Sequence, residues 1–191
     1  MLSLFVDSSK SYLSLVSAAE SEIIFSYTNM FVKSMHEKIL ETLNFLLIAN
    51  NLMLSEIDEF YVVVGPGSYT GIRIGIATML GISTALMKPL FGMTILDAIA
   101  MSVGEPHPVI AYRLLGDNYV IRRYDFVNNI YSDFENVNVK DIPEESLLFS
   151  DNYYNISKVI SNPKFRFFLN DYKPFYMQPS FLINENINIR I

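Results

Sequence analysis

The stretch that most limits how this chain can fold runs from Val62 to Gly75: Val62-Val63-Val64-Gly65-Pro66-Gly67-Ser68-Tyr69-Thr70-Gly71-Ile72-Arg73-Ile74-Gly75. Phe60 to Val64 is an apolar, mostly β-branched run, which predicts a strand buried on both faces. The glycines and Pro66 then break the strand, and residues 71 to 87 carry helical apolar spacing. A glycine turn feeding a helix N-terminus presents backbone N–H groups and a positive dipole end, which suit a phosphate or a partner's carboxylate. The same glycines serve equally well as a tight strand-to-helix turn, so Asp7, Gly65, Gly67 and Ser68 stand as weak candidates for cofactor binding. The segment is not a P-loop, because Thr70-Gly71-Ile72 stands where the lysine is needed. Nor is it a nucleophile elbow, which requires glycines two residues to either side of the serine.

Composition narrows the field further. A chain of 191 residues holds one ordinary domain or two small lobes. With 51% hydrophobic and 18% charged residues it is too apolar for disorder, yet no run of about 18 apolar residues spans a membrane. The segment Met1 to Asp7 lacks a basic n-region and a small-residue cleavage site, so a cytoplasmic location is expected. A net charge of −6 argues against an extended phosphate-binding surface and leaves any nucleic acid mainly to another subunit. The absence of cysteine removes disulfides, thiolate metal sites and a cysteine nucleophile together. His36 and His107 alone remain for imidazole chemistry, which makes a poor zinc set.

Along the chain, Leu2 to Val6, Tyr12 to Val16 and Ile23 to Tyr27 read as a three-stranded meander, with Asp7 to Ser11 as a polar turn. His36, Ile39, Leu40, Leu43, Leu46 and Leu47 predict a helix. After the glycine segment, Pro89 to Met93 reads as a strand. Thr94, with Asp97 three residues on, caps a third helix that ends near Gly104. The order βββαβαβα is that of a ribonuclease-H-like lobe, expected over residues 1–103. A Pro- and Gly-containing boundary follows, and residues 104–191 are expected to form a reduced, divergent C-terminal lobe. There, Val109 to Leu115 and Tyr119 to Phe126 flank Gly116-Asp117-Asn118 as a hairpin. Strands are expected near residues 147–149 and 166–168, and a helix near 153–161.

Gly65 to Gly75 closely resembles the Gly-Pro-Gly-Ser-Phe/Tyr-Thr-Gly-Leu/Ile-Arg-Ile/Leu-Gly signature of the bacterial TsaB (YeaZ) family, part of the tRNA threonylcarbamoyladenosine machinery. Asp7-Ser8-Ser9 is similar to that family's Asp-Thr-Ser after the first strand. Pro174-Phe175-Tyr176-Met177-Gln178-Pro179 is similar to its Pro-x-Tyr-Leu-Arg-Pro segment, with Gln178 in place of arginine. His36 stands out of register with the family's His-Ser-Glu, and Ala111-Tyr112-Arg113 is the nearest match to the Asp-Ala-Arg that commonly opens the second lobe.

The resemblance implies an α/β chain of the actin/Hsp70/sugar-kinase-like (ASKHA) superfold, built as two ribonuclease-H-like lobes with a reduced second one. In that superfold an aspartate at the place of Asp7 faces nucleotide phosphates; the plainer role for Asp7 is to cap the hairpin. The resemblance further implies a non-catalytic dimerisation subunit: a homodimer when alone, paired with a TsaD-like catalytic subunit and served by a TsaE-like ATPase. ATP and threonylcarbamoyl-AMP would be used by that complex, with tRNA met only through it, and no cofactor or membrane assigned to this chain. The paired-histidine metal motif of TsaD is missing, so no catalytic or metal residue is assigned. The rival readings are a nucleotide-binding phosphotransferase of the same superfold and a peptidase at Ser68, which has no His/Asp partners at a recognised spacing.

The second helix gives a physical reason to expect a partner. Between Gly71 and Met87 its sole charge is Arg73, whereas a surface helix ordinarily carries a charged face. Ile72, Ile76, Met79, Leu80, Leu86 and Met87 make a broad apolar face, with small residues opposite. Expected interface residues are His36, Ile39, Leu43, Arg73, Ile74, Ala77, Thr78, Gly81 and Ala85. Gly65, Pro66, Gly67 and Gly71 are assigned to shaping the loop.

Overall fold

The computed structural model describes residues 1–20, 22–29, 35–150, 154–162, 164–169 and 172–173, without the side chains of Met35, His36, Glu37 and Phe167. The chain opens with the expected antiparallel meander β1 (Leu2–Asp7), β2 (Leu13–Ala19) and β3 (Glu22–Asn29). It continues as α1 (Met35–Ala49), β4 (Glu59–Gly65), α2 (Tyr69–Leu86), β5 (Leu90–Thr94) and α3 (Ile95–Val103). The first sheet has the order β3-β2-β1-β4-β5, with β4 parallel to both β1 and β5. Parallel neighbours cannot be joined by tight hairpins, which is why helices intervene before and after β4.

Strand alternation assigns the two faces of this sheet. Leu4, Val6, Phe60, Val62 and Val64 join α1 and α2 in one core. Phe5, Tyr61 and Val63 point the other way, into a second core built around α3. The expectation that β4 is buried on both faces is thereby met. Helix α3 is buried from Ile95 to Met101, capped by Thr94 and ended by Gly104 in the left-handed region (φ 78°).

Beyond this core lies a second sheet of β6 (Val109–Arg113), β7 (Asn118–Asp125), β8 (Ile130–Tyr131), β9 (Glu135–Asn138) and β10 (Leu147–Phe149). Its order is β10-β6-β7-β8, with β9 also on β7. The short helix α4 (Ile156–Ile160) packs against α3. The hairpin across Gly116 forms as expected.

The strand expected near residues 166–168 does not form; Phe165–Phe168 is a 3-10 turn. Side chains three apart eclipse on such a turn, whereas a strand would send Phe165 and Phe168 to opposite faces. Both rings enter the inter-sheet core: Phe165 meets Tyr61 edge-on at 4.8 Å, and Phe168 lies 5.6 Å from Phe126. The segment Pro174 to Pro179 falls outside the described residues.

Candidate functional site

The glycine loop is shaped by close approach to the turn after β1. A Cβ on Gly67 would collide with the Ser9 carbonyl, one on Gly71 with the Ser8 carbonyl, and one on Gly75 with the Ser8 hydroxyl. Gly65 sits at φ 116°, a backbone conformation suited to glycine, and Pro66 is buried beside it. The Ser8 hydroxyl donates to the Gly71 carbonyl at 2.9 Å, and the Ser68 N–H donates to the Ser9 carbonyl at 2.6 Å. Ser68 is the N-cap of α2, its hydroxyl accepting from the Gly71 N–H at 3.2 Å. Two of the loop's amide donors are therefore engaged within the chain. Ser68 thus has a structural task, capping α2.

Asp7 shares the parity of Phe5, so its side chain points into the layer between the sheets, where it is fully buried. One carboxylate oxygen accepts from the Ser9 N–H at 2.8 Å and the Ser9 hydroxyl at 2.6 Å, which is the hairpin-capping role. The other accepts from the Tyr154 hydroxyl at 2.8 Å. Burial, with Asp7 beside it, pushes the Tyr154 phenol well above its ordinary range, so it remains a protonated donor. The turn Asp7–Lys10 is polar in sequence yet buried in the fold, where Lys10 is only 2% exposed. Nothing in the local pattern signals that, because its covering residues come from distant segments: the glycine loop, β6 and the stretch before α4.

Helix α2 packs on the first sheet through Ile72, Ile76 and Met79, together with Gly75 and Ser83. Its far side is open: Arg73, Ala77, Gly81 and Ala85 are exposed, and Ile74 and Thr78 are half-buried. Arg73 lies over the Tyr69 ring at 3.8 Å. A Cβ on Gly81 would meet nothing within 4 Å, so the chain's own packing gives no reason for a glycine there.

Three expectations need correction. Ile39 and Leu43 are sealed in the chain's own core at 0% and 1% exposure and present nothing to a partner. They lie on the side of α1 that joins the sheet's core, while Leu40, Phe45 and Ile48 point outward. Met87 is 92% exposed because it is the left-handed C-cap of α2 rather than part of its apolar face. The His36 side chain lies outside the described residues.

A second polar cluster escaped sequence reasoning. Asp97, fully buried on α3, accepts from Arg122 at 2.7 Å, from the Tyr124 hydroxyl at 2.8 Å and from the Thr94 hydroxyl at 2.5 Å. The Arg122 guanidinium is stacked against Tyr131 at 4.0 Å and Phe134 at 4.2 Å. Burial pushes the Asp97 carboxyl up and Arg122 pulls it back. The available signal was a lone acid in an otherwise apolar helix, which demands a buried partner. His107 is exposed, 3.5 Å from Asp125. Among the described residues no three His, Asp or Glu side chains gather as metal ligands, and no helix is long and apolar enough to cross a membrane.

Comparison with known proteins agrees with this geometry. The family model described as TsaD, tRNA N6-adenosine threonylcarbamoyltransferase, matches residues 29–121. The tRNA threonylcarbamoyladenosine biosynthesis protein TsaB of Buchnera aphidicola subsp. Schizaphis graminum is 30% identical over 97 residues, covering 51% of this chain and 46% of the relative. An uncharacterized protein of Mycoplasma genitalium is 32% identical, covering 48% of this chain and 57% of the relative. The chain thus spans about half the length of the curated relatives it matches. YeaZ from Pseudomonas aeruginosa superposes with a TM-score of 0.77 at 17% identity, covering 92% of this chain and 99% of that one. A second Pseudomonas aeruginosa crystal structure, of an uncharacterized protein with similarity to peptidase YEAZ, gives 0.78 at the same identity, covering 93% and 99%. At that identity the likeness shows the fold alone, the α/β arrangement shared with those two structures. The loop signature from Gly65 to Gly75, the TsaB relative and the shared fold all make this chain similar to the TsaB/YeaZ family.

Proposed function

We propose that the chain is a non-catalytic scaffold subunit in tRNA threonylcarbamoyladenosine biosynthesis. It pairs with a TsaD-like catalytic subunit, with a TsaE-like ATPase joining the assembly, and forms a homodimer when alone. ATP and threonylcarbamoyl-AMP are used by the complex, in the cytoplasm, and tRNA meets this chain only through the complex. The observation that carries the reading is the outer surface of α2. Ala77, Gly81 and Ala85 are small and exposed, Arg73 is the helix's sole charge, and Leu40, Phe45 and Ile48 lie exposed on the adjoining α1. Small residues let a second helix approach closely, and an exposed apolar surface of this kind marks an interaction site.

The rival phosphotransferase reading needs a carboxylate and loop amides free to meet phosphates. Asp7 is engaged on both oxygens, and the Ser68 and Gly71 N–H groups are already used. This favours the scaffold.

Ala77→Glu and Ala85→Glu test it. In a single protomer both positions face water, so each variant should stay folded while its homodimer dissociates in gel filtration. In the complex the new carboxylate would be buried without a mate, which typically costs several kcal/mol. Co-purification with the host's TsaD-like subunit should therefore be lost. Retention of the complex by both variants would remove this surface from the interface.

A further inference from the structure

Among the described residues, Lys10 is the one lysine that is buried. Taking an ammonium out of water is costly unless it is paired, and long cationic side chains ordinarily keep their heads in solvent. Here the whole residue is 2% exposed. Its Nζ donates to the Ser150 carbonyl at 2.7 Å. Three tyrosine rings surround it, with centroids at 5.1 Å for Tyr112, 5.6 Å for Tyr154 and 5.8 Å for Tyr12. Cation–π attraction strengthens when the cation is desolvated, so the rings and the carbonyl together replace the lost water.

The origin of those groups matters as much as their number. Lys10 and Tyr12 belong to the turn between β1 and β2 of the first sheet, and Tyr112 belongs to β6 of the second. Ser150 follows β10, and Tyr154 precedes α4 while donating its hydroxyl to Asp7. One side chain therefore gathers contacts from both sheets and from the segment leading into α4. A second tie runs in parallel, from Asp97 on α3 to Arg122 and Tyr124 on β7.

We propose that Lys10 is an internal pin that fastens the second sheet and the α4 segment to the first sheet, so that the two sheets behave as one rigid body. Without the pin the layer between them would open locally, while α1 and α2 on the far side of the first sheet would stay packed.

Backbone hydrogen exchange on the full chain tests this. In Lys10→Met a flexible apolar chain keeps much of the volume but loses the charge and the bond to Ser150. Exchange should quicken by roughly tenfold or more across residues 109–113 and 154–160, with α1 and α2 nearly unchanged. Equal exchange in the two proteins would overturn the proposal. A uniform rise over the whole chain would overturn it too, since Lys10 would then support the fold generally. Should Lys10→Met fail to fold, Tyr112→Leu removes the nearest ring and leaves Lys10 in place. The same selective rise at smaller amplitude is expected, and its absence would again refute the pin.

Discussion

On the outer side of α2, Ala77, Gly81 and Ala85 face outward and no charge follows Arg73. Between the two sheets, Asp7, Lys10, Asp97 and Arg122 are all buried. Each region places side chains where their chemistry alone would not. A buried charge is tolerated when it is paired and hydrogen-bonded, and the charged groups of both inter-sheet clusters find such partners within the chain. The exposed apolar face of α2 has no such internal partner, which is why it is proposed as the assembly surface. Under the proposed function, the contrast separates residues that serve the chain's own architecture from those that serve assembly.

The largest expected effect breaks an inter-sheet cluster. Asp97→Ala leaves Arg122 buried with no counter-charge, which should cost about 3–5 kcal/mol in a urea titration. Replacing both members with apolar residues of similar size should recover most of that loss; no recovery would mean that the pair sets the geometry rather than compensating for its own burial.

Gly67→Val comes next. Its side chain would collide with the Ser9 carbonyl and wedge the loop away from the first turn, an overpacking cost of about 1–3 kcal/mol. Thermal melting and gel filtration should show damaged folding or assembly; an unchanged melting temperature with assembly intact would contradict the close approach.

Gly81→Ala sharpens the comparison in the opposite direction. Because a Cβ there meets nothing within the chain, the isolated protein should gain about 0.5–1 kcal/mol from the better helix former. Binding to a TsaD-like subunit should weaken if a partner backbone closes on that glycine. Greater stability with undiminished binding would place the contact elsewhere on α2.

The smallest effect concerns acid. The Leu2 N–H, bonded to Asp58 at 2.8 Å, is the main cause holding that carboxyl below its usual range, with Lys88 helping. A folded pKa lowered in this way stabilises above the unfolded value, near pH ~4, and is lost as pH falls through the folded value. The melting difference between wild type and Asp58→Asn should therefore shrink on acidification. A difference that stays constant from neutral to acid pH would show that Asp58 acts only through its shape.

Much of the first half was legible before any coordinates. The β-branched run at Val62, the glycines after it, the helical spacing of Ile72, Ile76 and Met79, and the Thr94 cap each specify a local conformation through short-range sterics and hydrogen bonding. So did the outward placement of Ala77, Gly81 and Ala85, because one helix turn fixes which residues share a side. The second half was less legible. β8 and β9 are short and largely exposed, so no alternation marks them. At Phe165–Phe168 the aromatic pattern suited a strand until packing required both rings on one side.

The sequence alone determined the order of elements in the first sheet, the glycine-shaped loop and the family signature that loop resembles, since these depend on residues close together along the chain. Only the tertiary structure decided that Ile39 and Leu43 are core, that Asp7 is closed off by Tyr154, and that Lys10 is buried among three tyrosines. Those outcomes depend on which distant segments cover a given side chain: Tyr154 bonds Asp7 from 147 residues away, and no local pattern encodes a contact of that range.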